Sequence, residues 1–117
     1  MCNHMRFNAP EVARVLPTDT SYVTVLREPA ELFESSFHYF GRLVPLTWKI
    51  PGEDKLAEFL RDPRRYFDPE GFNSFYLKNL LFFDFGHDNT LAPGDPRVEE
   101  GIRVISERFH LVMLVEH

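Results

Sequence analysis

The fold of this 117-residue chain is decided by the stretch Tyr22-Val23-Thr24-Val25-Leu26-Arg27-Glu28-Pro29. Its β-branched run predicts a buried strand over residues 21–26. Pro29 fits the first turn of a helix, because the N–H that proline lacks would have no partner there, and the sequence predicts a helix over residues 29–40. The strand therefore delivers Arg27 to a turn that leads directly into a helix.

A guanidinium and a hydroxyl lie on the two sides of this turn. Arg27 stands at the end of the predicted strand, and Ser35 falls inside the predicted helix. Because arginine can donate two parallel hydrogen bonds to one oxyanion, the pair predicts a phosphate contact. Ser36 is a weaker candidate for the hydroxyl. From the pattern alone, a surface ion pair is the commoner role for an arginine in this position, and that alternative stays open.

The rest of the chain predicts more short helices and a second strand. We expect helices at residues 9–16, 53–61, 73–83 and 97–109, with Asn8 and Asn73 as caps, and a loop at residues 43–52. The continuous apolar run at residues 110–115 predicts a parallel strand that is covered on both faces. Two such strands separated by helices indicate an α/β fold, with parallel strands covered by helices.

Bulk composition excludes several classes of function. The net charge of −5 argues against a broad nucleic-acid-binding surface. A single cysteine, Cys2, cannot form an internal disulfide, and neither cysteine nor histidine spacing predicts a metal site. No apolar run approaches the ~18 residues that a membrane-spanning helix needs, and the first residues lack the apolar segment of a signal peptide.

Four spaced motifs resemble the galactose-3-O-sulfotransferases, which use 3′-phosphoadenosine-5′-phosphosulfate (PAPS) as donor. They are Asn3-His-Met-Arg-Phe-Asn8, Leu26-Arg-Glu-Pro29 with Glu34-Ser-Ser-Phe37, Asn79-Leu-Leu-Phe-Phe-Asp-Phe-Gly86, and Arg108-Phe-His-Leu-Val-Met-Leu-Val-Glu-His117. The resemblance implies a partial P-loop-like sulfotransferase fold. It also implies that residues 1–117 are the middle portion of a sulfotransferase domain, without the N-terminal anchor, the upstream 5′-phosphosulfate loop or the C-terminal end.

The resemblance also implies an activity. Members transfer a sulfuryl group to the 3-hydroxyl of a terminal β-galactose, on glycolipids such as galactosylceramide or on glycans, at the luminal side of the Golgi membrane. Arg27 and Ser35 match the motif that binds the 3′-phosphate of PAPS, and no metal is implied. The isolated chain is expected to be inactive. One alternative is a non-catalytic truncated fragment that retains only the 3′-phosphate half of the donor site, and another is an unrelated mononucleotide-binding module.

Other polar and aromatic residues are weaker site candidates. His4 is the histidine that we would test as a catalytic base, although a structural histidine is the commoner outcome. Trp48, Asn79 and Asp84 are candidates for binding the acceptor sugar, because aromatic rings cover the apolar face of a sugar while amides and carboxylates bind its hydroxyls. For Asn79, Asp84 and the aromatic run Phe82-Phe83-Asp84-Phe85, the competing interpretation is a packed core segment in which Asp84 caps a neighbouring element. For Trp48 it is packing alone. Arg6 fits contacts to donor or sugar hydroxyls and an exposed or ion-paired position equally well.

Overall fold

The computed structural model describes residues 5–115. These residues form two compact units. The first unit consists of the described residues up to Glu28 together with those from Leu81 onward, and the second unit is Pro29–Leu80. In chain order the helices and strands are α1 (Ala9–Val15), β1 (Val23–Leu26), α2 (Pro29–Phe40), α3 (Pro45–Trp48), α4 (Lys55–Arg61), α5 (Pro63–Tyr66), α6 (Leu80–Asp84), α7 (Pro96–Arg108) and β2 (Leu111–Leu114).

Short polar side chains fix where four of the helices begin. The side chains of Asn8, Asp54, Asp62 and Asp95 each accept a hydrogen bond from a backbone N–H in the first turn of α1, α4, α5 and α7. Such a bond pairs one of the N–H groups that a helix start leaves without an intrahelical partner. The predicted cap at Asn8 is thereby confirmed, with a distance of 3.2 Å from its Oδ1 to the backbone N of Glu11.

The two strands pair in parallel, as the sequence predicts. Val23 lies opposite Leu111 and Leu26 opposite Leu114. The predicted cover by helices is wrong for the described part of the chain: Val23, Val25 and all four residues of β2 are exposed. A parallel sheet is normally covered on both faces, and the described helices do not provide that cover. The mixed helix and strand content is nevertheless compatible with the α/β class.

The second unit has its own apolar core, to which α2 contributes Phe37 and α4 contributes Phe59. Its buried residues are Phe37, Val44, Ile50, Phe59 and Leu77. Two sequence predictions are wrong in this unit. The expected loop at residues 43–52 contains α3, and the expected helix over residues 73–83 is broken into a 3₁₀ turn at Ser74–Leu77 and then α6. Asn73 and Asn79 both adopt left-handed backbone angles, which interrupt a right-handed helix.

Candidate functional site

Arg27 lies where the sequence predicts, directly after β1. The carbonyl oxygen of the preceding residue, Leu26, accepts a hydrogen bond of 2.9 Å from the backbone N of Val115, so the parallel ladder continues to the end of β1. Arg27 is partly buried and stands at the carboxyl end of a parallel strand. Ligands of open parallel sheets bind at that edge, so the backbone gives Arg27 a position from which a ligand can be reached.

The two serines of α2 differ sharply in accessibility. Ser35 is exposed, whereas Ser36 is only 4% exposed. Of the two hydroxyls, that of Ser35 is therefore the one open to solvent. Ser35 belongs to the second unit and Arg27 to the first. The surroundings of the two residues are therefore described separately.

Arg6 is held by the protein's own backbone in the first unit. Its Nε donates to the carbonyl oxygen of Phe83 at 3.0 Å, and its Nη2 donates to that of His87 at 2.7 Å. The guanidinium carbon lies 4.5 Å from the centroid of the Phe83 ring, a separation typical of a cation–π contact. Arg6 thus docks the segment that contains it onto the segment that follows α6. His4, the weak candidate for a base, lies outside the described residues.

A glycine permits this docking. Gly86 has φ of +94°, a left-handed conformation that glycine adopts without steric cost. A Cβ placed at this position would collide with the carbonyl oxygen of Phe7. The backbone N of Phe7 donates to the carbonyl oxygen of Asp84 at 2.8 Å. Two of the sequence motifs that carry the family resemblance are therefore in direct contact through their backbones.

His87 lies beside this contact and packs on a buried ring. Its imidazole stacks on Phe82, with ring centroids 4.7 Å apart and planes inclined by 22°. Burial, together with the positive charge of Arg6, lowers the pKa of His87 from its ordinary value. Both effects disfavour the imidazolium, so the ring is neutral at neutral pH.

The three candidates for sugar binding have different surroundings. Trp48 is 61% exposed at the end of α3, next to a pocket of about 320 Å³ in the second unit that Arg42 and Asp54 also line. Asn79 is exposed and left-handed, and Asp84 is exposed at the end of α6. Trp48 is therefore not packed into a core, which is the more usual position for a lone tryptophan.

The aromatic run that precedes Gly86 is largely a packing element. Phe82 is 6% exposed, and its ring lies against α7 at Gly101, where a Cβ would come within 2.5 Å of the ring. Phe85 packs on Phe109 with centroids 5.2 Å apart. Phe82 and Phe85 are therefore packing residues of the first unit.

No group of three or more histidine, cysteine, aspartate or glutamate side chains within residues 5–115 is arranged to hold a metal ion. No helix in the same part of the chain is long and apolar enough to cross a membrane.

Comparison with known proteins gives a match along the whole chain. The family model described as galactose-3-O-sulfotransferase matches residues 1–117. The chain is 61% identical to human galactosylceramide sulfotransferase and 57% identical to the mouse protein of that name, in each case over all 117 residues. It is 41% identical to mouse galactose-3-O-sulfotransferase 2. The chain spans 28–29% of the length of these relatives. No solved structure matches it.

Proposed function

The chain belongs to the galactose-3-O-sulfotransferase family, and we propose that it forms the part of such an enzyme that holds the 3′-phosphate of PAPS. Its named relatives act as galactosylceramide and galactose 3-O-sulfotransferases. The reaction proposed for the whole protein is sulfuryl transfer to the 3-hydroxyl of a terminal β-galactose on a glycolipid or glycan. The proposed location is the luminal side of the Golgi membrane, with attachment through a membrane anchor.

The observation that carries the proposal is the position of Arg27, partly buried at the carboxyl end of β1 and separated from α2 only by Glu28. A guanidinium there can donate two parallel hydrogen bonds to phosphate oxygens. Ser35 is open to solvent on α2 and can add a third bond, which favours it over the buried Ser36. The sulfotransferase fold and the identity of PAPS as donor rest on the family resemblance.

The donor supplies the group that is transferred. Its bond between sulfur and the 5′-phosphate oxygen breaks, a bond from sulfur to the galactose 3-oxygen forms, and the proton of that hydroxyl passes to a base. Arg27 and Ser35 would bind the remote phosphate, fixing the donor so that its sulfur meets the acceptor. His4 is retained as a candidate for the base. Trp48, Asn79 and Asp84 are retained as candidates for acceptor contacts.

The experiment is a binding measurement on the intact protein that contains this chain. We expect Arg27→Ala to weaken binding of 3′-phosphoadenosine-5′-phosphate by roughly 1.5–3 kcal/mol, the value of a hydrogen bond to a charged group. Arg27→Lys should recover only part of the loss, because lysine cannot form the two-pronged contact. Ser35→Ala should cost about 0.5–1.5 kcal/mol.

The controls test whether the 3′-phosphate is the group recognised. Adenosine 5′-phosphate, which lacks it, should bind equally to the parent protein and to Arg27→Ala. Arg14→Ala removes an exposed arginine that pairs with Glu11 on α1 and should leave both affinities unchanged. Equal loss of affinity for the two nucleotides in Arg27→Ala would contradict the assignment, as would no loss for either.

A second candidate function is nucleotide binding without catalysis. The chain spans 28% of human galactosylceramide sulfotransferase, and the second candidate function is binding of the 3′-phosphate by these residues without catalysis of transfer. Stabilising the leaving phosphate oxygen is normally the larger catalytic contribution, and neither Arg27 nor Ser35 would contact that oxygen. Under this alternative, nucleotide binding would depend on Arg27 while sulfate transfer would be absent.

A further inference from the structure

A pocket of about 370 Å³ opens in the first unit, apart from Arg27. The start of α1, the turn around Gly86 and the last turns of α7 form its walls. Its polar side chains include two arginines and a histidine, and apolar side chains cover much of the remainder. The residues used in the argument are Arg6, Phe85, His87, Ile105 and Arg108.

Arg108 carries a donor that the described protein does not satisfy. Its Nε is buried from solvent and has no hydrogen-bond partner among residues 5–115. A buried donor without a partner is costly, and such groups are rare in folded proteins. A cation in the last turn of a helix is favourable for the helix dipole, but the dipole alone does not pair the Nε–H.

Arg6 brings a second positive charge to the same pocket in a fixed orientation. Its Nε and Nη2 are held by the two backbone carbonyls described above, which are neutral groups. None of the described residues that line the pocket is acidic. His87 adds no charge at neutral pH, because burial and Arg6 lower its pKa.

We propose that this pocket binds an oxyanion group, a sulfate or a phosphate, with the guanidinium groups of Arg108 and Arg6 as its two cations. Because the Nε of Arg108 is closed to solvent, its side chain must turn for the Nε–H to reach the ion, which then supplies both the acceptor that this donor lacks and the negative charge that the lining lacks. The apolar rings and side chains of Phe85 and Ile105 leave room beside it for the organic part of a sulfate or phosphate ester. The site is separate from the proposed 3′-phosphate contact and does not depend on it.

The test follows the arginine Nε–Hε resonances of the 117-residue chain by NMR. Sodium sulfate, sodium phosphate and phenyl sulfate are titrated, with sodium chloride as the reference at matched ionic strength. We expect saturable shifts of the Arg108 resonance with at least one of the three oxyanions, and none with chloride. Tighter binding of phenyl sulfate would identify an ester as the ligand, whereas equal binding of inorganic sulfate would identify the free ion.

Two variants distinguish a specific oxyanion site at Arg108 from nonspecific attraction of anions to positive charge. Arg108→Lys keeps the charge but removes Nε, and it should weaken oxyanion binding about tenfold, the equivalent of roughly 1.4 kcal/mol. Arg103→Lys makes the same exchange on the same helix at an exposed residue paired with Glu100 and Glu107, and it should change binding less than twofold. If the Arg108→Lys variant does not fold, the NMR titration of the parent chain tests the proposal by itself. Absence of an oxyanion-specific shift at Arg108, or equal weakening by both variants, would overturn the proposal.

Discussion

Gly101 occupies a helical position where any side chain would meet the ring of Phe82. An added Cβ would lie 2.5 Å from Cζ and 2.8 Å from Cε2 of Phe82, and 3.2 Å from Nδ1 of His87. Carbon atoms in contact prefer a separation of about 3.5–4.0 Å, so the ring would have to move by about 1 Å. Phe82 is buried and also stacks on His87, which leaves little space for that movement.

We therefore expect Gly101→Ala to destabilise the chain, although alanine is the better helix former. Overpacking in a filled core costs about 1–3 kcal/mol, and replacing glycine by alanine inside a helix returns up to about 1 kcal/mol. With two ring atoms in collision the steric cost lies toward the upper end, so a net loss of about 1–2 kcal/mol follows from these two ranges. The measurement is equilibrium urea unfolding of the 117-residue chain, followed by far-ultraviolet circular dichroism.

A double-mutant cycle isolates the contact. Phe82→Leu removes the two colliding ring atoms, so Gly101→Ala made in that background should be neutral or stabilising by up to about 1 kcal/mol, the helix-propensity term alone. The reasoning would be refuted if Gly101→Ala stabilised the parent chain, or if it cost the same in both backgrounds.

Three further predictions concern pH, surface and activity. Because the folded chain lowers the pKa of His87, the unfolded chain binds that proton more readily. The urea midpoint should therefore be highest above about pH 6.5 and fall as the pH drops below that value. In the variant His87→Gln, the urea midpoint should depend less on pH. Val25 and Val112 are 52% and 45% exposed on the strands, so Val25→Thr with Val112→Thr should reduce light scattering and dye binding without lowering the urea midpoint; unchanged scattering would count against the exposed sheet as the cause. The purified 117-residue chain should transfer no labelled sulfate from PAPS to galactosylceramide, and turnover that Arg27→Ala abolishes would place the catalytic groups within these residues.

The parts of the fold that the sequence predicts correctly are those with a repeating local signal. Helix α2 spans residues 29–40 as expected, because a proline marks its start and phenylalanines recur at helical spacing. Helix α7 lies one residue earlier than expected, since the cap at Asp95 was not recognised. The parallel pairing of β1 and β2 also follows from their apolar runs and the helices between them.

The errors arise where the structure depends on contacts between residues that are distant in sequence, or on unusual backbone angles at a single residue. Asn73 has φ of +61°, and its side-chain amide donates to the carbonyl oxygen of Leu43, so it interrupts the expected helix instead of capping it. No hydrophobic pattern encodes a left-handed residue. The expected cover of the strands also fails, because a continuous apolar run shows that a strand prefers burial without showing which residues bury it.

The candidate site residues also fall into two groups, those that a local sequence pattern predicts and those that depend on contacts distant in sequence. The place of Arg27 between a strand and a helix is a local pattern, and the sequence predicts it. The setting of Arg6 does not follow from the sequence, because its carbonyl partners lie 77 and 81 residues away. No sequence pattern predicts that Arg108 and His87 line one pocket. An arginine in the last turn of an amphipathic helix looks like an ordinary surface residue until the opposing wall of the pocket is known.

The separation of β1 from β2 along the chain sets an order in which the protein can form during synthesis. Tyr22 and His110, which precede the two strands and bond to each other, are 88 residues apart. Closing a loop of that length from the unfolded chain costs about 2 kcal/mol more than closing one of ten residues. The second unit is continuous and emerges from the ribosome before β2, so its folding shortens the loop that remains to be closed. Until β2 has been synthesised, the edge of β1 that pairs with it is open, and other nascent chains can pair there. A chaperone would therefore matter most during this interval.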